Sequence, residues 1–358
     1  MGFRVVACRK SALALLAGAL AITALAGSGA NAEGDPTPPR KAAGKVLASG
    51  LDIPWGLDFL PSGAALVTER GSGKVYLIPK EGGRKRVVAE IPGVDPNAGE
   101  GGLLGLALSP RYRKDGLVYA YLTTDQDNRI VRFKLPRGSS KQPRGLTPLL
   151  TGIDRSSIHN GGRIAFGPDG LLYAGVGDAA NPDVAQDRDA LNGKILRINP
   201  KGGVPKANPF AGSPVYSFGH RNVQGLAWDK NGRLWASELG QNDKDEVNLI
   251  RAGNNYGWPL VEGKGDTEGG KFTNPQVTWS PAVSSPSGAA IRGKTLFVAA
   301  LRGERLWKIP LKGNKAGEPK GTLQGSYGRL RTVEVAPDGS LWIATANGGD
   351  DRIVKLGR

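Results

Sequence analysis

Ile164-Ala165-Phe166-Gly167-Pro168-Asp169-Gly170-Leu171-Leu172-Tyr173-Ala174 reads as two short apolar strands joined by a Pro-Asp-Gly turn. Asp-Gly between apolar runs marks a hairpin, because such turns need positive φ and glycine supplies it without steric cost. The pattern recurs. Before this copy stand residues 56–63 with 65–69, and 106–110 with 117–120; after it come 226–232 with 234–238, a degenerate copy at 289–293 with 296–299, and 333–339 with 341–344. A third apolar stretch follows most copies, such as Val75-Tyr76-Leu77-Ile78 and Leu306-Trp307-Lys308-Ile309, so each unit holds at least three strands. Repeats of this length built from strands are the signature of a propeller. The expected architecture is all-β, a single six-bladed β-propeller over residues 45–358. A β-sandwich with regular hairpins is the alternative, and it accounts less well for one turn chemistry recurring six times. With 54 Gly and 25 Pro in 358 residues, the chain is rich in turns and poor material for a helical protein.

Residues 1–32 have the build of a secretory signal. Arg4, Arg9 and Lys10 lead an apolar run from Ala12 to Ala26, and Ala30-Asn31-Ala32 offers a small-x-small cleavage site. The run is shorter than the roughly 20 residues that cross a bilayer, and nothing later competes with it. The expectation is a soluble, secreted protein with no transmembrane segment, its mature chain opening on a flexible leader, 33–44, that contains Pro36, Pro38 and Pro39. The one cysteine, Cys8, precedes the apolar run and leaves with it, which excludes disulfides, zinc-thiolate sites and cysteine nucleophiles. The formal net charge of +16 concerns partners rather than fold. Lys and Arg are scattered with no long basic run, so no nucleic-acid partner is expected, and an anionic small molecule is the other reading.

In a propeller the loops at one end of the central channel form the ligand site, so function is sought there. Only two histidines occur, and each lies in a glycine-dense, charged stretch: Ile158-His159-Asn160-Gly161-Gly162-Arg163 and Gly219-His220-Arg221-Asn222. His159 precedes the first strand of one unit and Asp178 ends the second, so a hairpin would bring them together. A carboxylate beside an imidazole orients it and favours its protonated form, as a general base requires. A turn histidine bonded to backbone is the equal alternative. At the second stretch Arg221 and Asn222 look like the functional pair and His220 structural. Two distant histidines without cysteine cannot build a zinc cage. The polar run Ser237-Glu238-Leu239-Gly240-Gln241-Asn242-Asp243-Lys244-Asp245-Glu246 could offer oxygen ligands to calcium, or be a solvated loop; it lacks EF-hand spacing.

The run Gly219-His220-Arg221-Asn222-Val223-Gln224-Gly225-Leu226-Ala227-Trp228, with Ser237-Glu238-Leu239-Gly240, Asp245-Glu246-Val247-Asn248-Leu249-Ile250 and Gly253-Asn254-Asn255-Tyr256-Gly257-Trp258-Pro259, resembles the soluble quinoprotein glucose and aldose sugar dehydrogenases. Glu100-Gly101-Gly102-Leu103-Leu104-Gly105-Leu106 and Arg329-Leu330-Arg331 agree in type and order. The resemblance covers nearly all of the expected mature chain. It implies a six-bladed propeller that binds pyrroloquinoline quinone (PQQ) and Ca2+. It also implies oxidation of an aldose at its anomeric carbon to the lactone, with electrons passing to an external acceptor. His159 matches the general base, Asp178 its supporting carboxylate, and Arg221 and Asn222 cofactor contacts, Arg221 near the reacting quinone oxygen. Gly240 and Gln241 match the main-chain carbonyl ligands of calcium. Arg302, Arg329 and Arg331 gain a purpose, since guanidinium groups bind carboxylates bidentately and the cofactor carries three. Glu100 and Asp178 face the sugar. Two positions depart from the pattern: Arg302 stands where the glucose-type enzymes carry lysine, and Glu100 where related sequences often carry glutamine. A calcium-dependent propeller lactonase and a non-enzymatic propeller that binds carbohydrate or protein are the competing classes. Preferred sugar, acceptor and oligomeric state are not legible.

Overall fold

A computed structural model describes residues 44–357. The secretory signal, the leader up to residue 43 and Cys8 lie outside the described residues. Six antiparallel sheets follow one another along the chain, as the repeat predicts. Blade 1 comprises Pro54–Phe59, Ala65–Glu69, Lys74–Ile78 and Arg86–Glu90, and blade 2 Leu103–Leu108, Leu117–Thr123, Asn128–Lys134 and Arg144–Ile153. Blade 3 comprises Ile164–Phe166, Leu172–Val176, Lys194–Ile198 and Val215–Phe218, and blade 4 Val223–Trp228, Leu234–Glu238, Asp245–Ile250 and Val277–Trp279. In blade 5, Pro286–Arg292, Thr295–Ala300 and Arg305–Lys312 are followed by Lys315–Ala316 and Lys320–Thr322, both paired to the third strand.

Blade 6 is assembled from both ends of the described chain. Leu330–Val335, Leu341–Thr345 and Asp351–Leu356 supply its inner three strands, and Gly44–Leu51 adds the outermost, antiparallel to Asp351–Leu356. The sequence placed Gly44 in the leader; it opens this strand instead, because its backbone completes a sheet with residues far along the chain. The first strands of neighbouring blades touch one another in a closed ring around the axis.

Turn chemistry and packing explain why these residues fold this way. Gly170 (φ 72°) and Gly232 (φ 74°) occupy the left-handed positions of their hairpins. The second strands of blades 1, 3, 4 and 6 are buried along their whole length, and those of blades 2 and 5 beyond their first residue, as strands covered on both faces must be. Six apolar clusters result, one between each pair of neighbouring blades. Trp235 and Trp342, both at 0 % exposure, lie in two of them; burying side chains of this size contributes about 2 kcal/mol each or more. Since each first strand leads away from the end where its entering loop lies, the entering loops of all six blades gather at one mouth of the channel.

Candidate active site

His159 closes the loop entering blade 3, held at φ 58°. Its backbone N–H donates to Glu100 Oε2 at 3.0 Å. Asp178 follows the second strand of the same blade, and the antiparallel pairing brings it alongside: His159 Nδ1 and Asp178 Oδ1 are 2.8 Å apart. Gly177 permits this approach, because a Cβ there would sit 1.9 Å from the His159 carbonyl oxygen. Asp178 is 1 % exposed. It also accepts from Ala180 N at 2.9 Å and, through Oδ2, from Trp258 Nε1 at 2.9 Å. A buried carboxylate on Nδ1 keeps the proton on that nitrogen and leaves the Nε2 lone pair as the acceptor.

Nε2 faces Arg221, whose Nη2 lies 2.9 Å away. The same guanidinium donates through Nη1 to Leu239 O at 3.2 Å, and its buried Nε has no partner among the described residues. Its centre lies 5.4 Å from the Trp258 ring. Burial pulls the Arg221 pKa down, and Asp178 is the first charge opposing that shift. Asn222 is buried and accepts from Gly161 N at 3.0 Å, tying blade 4 to the His159 loop. His159, Asp178, Arg221, Asn222 and Glu100 therefore converge at one mouth of the channel.

His220 does not join them. Its Nδ1 lies 2.9 Å from Glu238 Oε2 and its Nε2 2.8 Å from Ser217 Oγ, in a fully buried position stacked on Tyr256. Glu238 also accepts the Arg221 backbone N–H.

The three expected carboxylate-binding arginines differ in their settings. Arg302 and Arg329 are exposed, with no side-chain hydrogen bond among the described residues. Arg331 is 7 % exposed at the channel floor, donates through Nη1 to Gln224 Oε1 at 2.8 Å, and has a buried Nε without partner. Beside it lies Arg163, 4 % exposed, which the sequence did not single out. Arg163 donates to Gln224 O and Thr332 Oγ1, and its guanidinium lies 4.2 Å from the Trp55 ring centre. Burial, and then the charge of Arg70, push Arg331 down to about 9; burial pushes Arg163 down to about 10. Arg70, half-buried after the second strand of blade 1, was also missed; burial pulls its pKa down, and Glu100 is the first charge opposing that shift. Such crowding of guanidinium groups is costly unless an anion meets it.

Gly240 and Gln241 follow Leu239, so they adjoin Arg221. Gly240 N donates to Asp245 Oδ1 at 3.0 Å and Gln241 N to Glu262 Oε1 at 2.6 Å. Neither carbonyl accepts a hydrogen bond among the described residues. A Cβ on Gly240 would sit 2.0 Å from Lys244 O, so the loop admits glycine alone. Glu238 and Glu246, both in the run quoted as possible oxygen ligands, and Glu262, which the sequence did not assign, lie around this loop. Burial, and then Glu238, raise Glu246 to about 8. Trp258 and Glu262 were missed because the segment between Ile250 and Val277 carries no strand pattern to place it. The tryptophan in the quoted Gly257-Trp258-Pro259 was the available signal.

The model of the Glucose / Sorbosone dehydrogenase family matches residues 51–355. The PQQ-bound form of aldose sugar dehydrogenase from Streptomyces coelicolor superposes with a TM-score of 0.83 at 51 % identity, over 87 % of this chain and 96 % of that one. Quinoprotein glucose dehydrogenase B of Acinetobacter calcoaceticus is 36 % identical over 64 % of this chain, and the match spans 55 % of its own length. Aldose sugar dehydrogenase YliI of Escherichia coli is 31 % identical over 84 % of this chain and 89 % of its own.

Proposed function

The chain belongs to the Glucose / Sorbosone dehydrogenase family, and from that premise we propose that it is a PQQ-dependent aldose sugar dehydrogenase, an oxidoreductase acting on small aldoses. The observation that carries the reading is His159, fixed by Asp178 on one nitrogen, with the other aimed at Arg221 beside a set of guanidinium groups that form no ion pair among the described residues. Membership in a dehydrogenase family, with a PQQ-bound relative at 51 % identity, favours this reading over the lactonase and the non-enzymatic propeller.

The residues present fit the cofactor. Arg331 and Arg221 each carry a buried orphaned Nε, and Arg302 and Arg329 present free guanidinium groups to a tricarboxylate. Asn222 and Arg221 would complete its cradle, and the open carbonyls of Gly240 and Gln241 suit a hard cation such as Ca2+. When bound, PQQ supplies the two-electron acceptor that protein side chains cannot, and calcium the Lewis acid that polarises it.

The chain's own part is proton chemistry and positioning. His159 Nε2 takes the anomeric hydroxyl proton as the anomeric C–H bond gives up its hydrogen with both electrons, leaving the lactone. Asp178 stabilises the imidazolium and Trp258 Nε1 holds the carboxylate in line. Arg221 places positive charge where negative charge develops. Glu100, bonded to the backbone of His159, presents a carboxylate to the sugar. Residues 1–32 support export, which puts sugar and external acceptor outside the cytoplasm.

Dye reduction by the purified chain, across an aldose panel with PQQ and calcium added singly, together and with chelator, tests the reading. Turnover requiring both additions is expected. Turnover without PQQ, or no PQQ binding at all, would remove the assignment.

A further inference from the structure

The strand directions separate two ends of the ring. The turn joining first to second strand, and the one joining third to fourth, lie opposite the mouth, except that the long third-to-fourth connection of blade 4, 251–276, climbs back to the mouth with Trp258 and Glu262. These far turns carry an exposed lysine on five blades: Lys80, Lys114, Lys201, Lys230 and Lys294. None of the five forms a salt bridge among the described residues. The aspartates there are used locally. Asp115 accepts from Ser109 Oγ and Leu117 N, Asp169 from Leu171 N and the Tyr173 hydroxyl, Asp229 binds Arg233, and Asp338 binds Lys355. Glu81 and Glu318 are the exposed acids left to oppose the lysines. At the mouth the balance reverses: Asp125, Asp183, Asp187, Asp189 and Asp243 are exposed around the arginine-lined site.

The far end also carries amphipathic groups. A recess of about 570 Å³ opens between blades 3 and 4; Tyr216, Trp228, Arg197, Arg233 and Arg251 line it together with Asp169, and Arg233 is paired to Asp229, so Arg251 is its cation without an acidic partner among the described residues. Nearby Val204 is 37 % exposed between Lys201 and Lys206. Lysines spread over a broad face, with tyrosine and tryptophan in a basic recess and an apolar tip, suit a bilayer interface. A nucleic acid would be better served by a long basic groove or a presented helix of several turns; among the described far turns the helix is the single turn Tyr112–Asp115.

We propose that the end of the propeller opposite the active-site mouth is a docking surface for a bilayer rich in anionic headgroups, one of which enters the recess between blades 3 and 4. Docked this way, the enzyme turns its mouth away from the bilayer, towards sugar and acceptor.

Co-sedimentation of the full chain with vesicles tests the surface, using equimolar phosphatidylglycerol and phosphatidylcholine against phosphatidylcholine alone. The comparison protein combines Lys80→Glu, Lys114→Glu, Lys201→Glu and Lys230→Glu; it shares the N-terminal segment, so any difference reports the turns. At about fivefold per lysine near an anionic surface, the combined variant should bind roughly two to three orders of magnitude more weakly. Wild-type binding should vanish in high salt, and soluble dye-coupled turnover should be unchanged in the variant. Equal sedimentation of the two proteins, equal binding to phosphatidylcholine alone, or binding to duplex DNA without binding to vesicles would each overturn the proposal. If the Glu set fails to fold by circular dichroism, the corresponding Lys→Gln set serves, with the same outcomes at smaller amplitude.

Discussion

His159 with Asp178 and His220 with Glu238 are chemically the same pair, an imidazole Nδ1 held by a buried carboxylate at 2.8 and 2.9 Å. Their other nitrogens part company. Nε2 of His220 is bonded to Ser217 Oγ in a fully buried site under Tyr256, whereas Nε2 of His159 meets a guanidinium at the channel mouth and its side chain is 14 % exposed. A histidine–carboxylate pair is thus a device for fixing a tautomer. Whether it catalyses depends on what the free nitrogen can reach. Arg221 links the two, its backbone N–H on Glu238 and its side chain on His159, so the buried pair holds the arginine that the open pair uses.

Substitutions should pull the two pairs apart. His159→Ala should lower kcat by about 10⁴-fold, the upper range for a lost general base, with PQQ affinity by absorbance titration nearly unchanged; retained turnover would break the assignment. Asp178→Asn should cost roughly 10² to 10⁴-fold in kcat with little change in KM, because an amide no longer fixes the tautomer. His220→Ala should act on stability, by about 3 kcal/mol in denaturant unfolding, since it strands Glu238 in the interior. If it instead abolished turnover in a fully stable protein, the contrast would fail.

Glu246 sharpens the comparison through pH, because it crowds Glu238 in the buried pair. Its folded pKa, about 8, lies above the ordinary 4.5. The folded state therefore keeps a proton that the unfolded chain releases. The stability this contributes is complete below about pH 4.5 and is lost as pH rises through about 8. Unfolding measured with chelator present should show that decline, and Glu246→Gln should flatten it without moving the pH–rate profile. Ser217→Ala should have the smallest effect, about 1 kcal/mol of stability for one lost hydrogen bond and no change in kcat.

The hairpins were legible because turn chemistry and apolar alternation are local. The outer strands were less so. Arg144–Ile153 is largely half-buried or exposed and carries little apolar signal, and Gly44–Leu51 is defined by a partner at the other end of the chain. At the site, His159 and Asp178 could be paired from sequence since one hairpin joins them. Arg163 stood in the same quoted stretch, but its role depends on Trp55, Gln224 and Thr332 from three other blades. Arg70 and Trp258 were hidden likewise, because ring closure, not sequence proximity, brings them near the mouth.

Gly44 faces Leu356 across the seam of blade 6, and Ile53 N donates to Asp351 Oδ2 over a separation of 298 residues. The blade order is therefore a cycle with an arbitrary starting point. A short linker from Leu356 to Gly44, with a cut in the turn after Ile78, would keep every blade and turn the split sheet into a continuous one. In such a permutant the cost of bringing distant segments together moves to another blade, and the speed of refolding becomes a property of where the chain is opened.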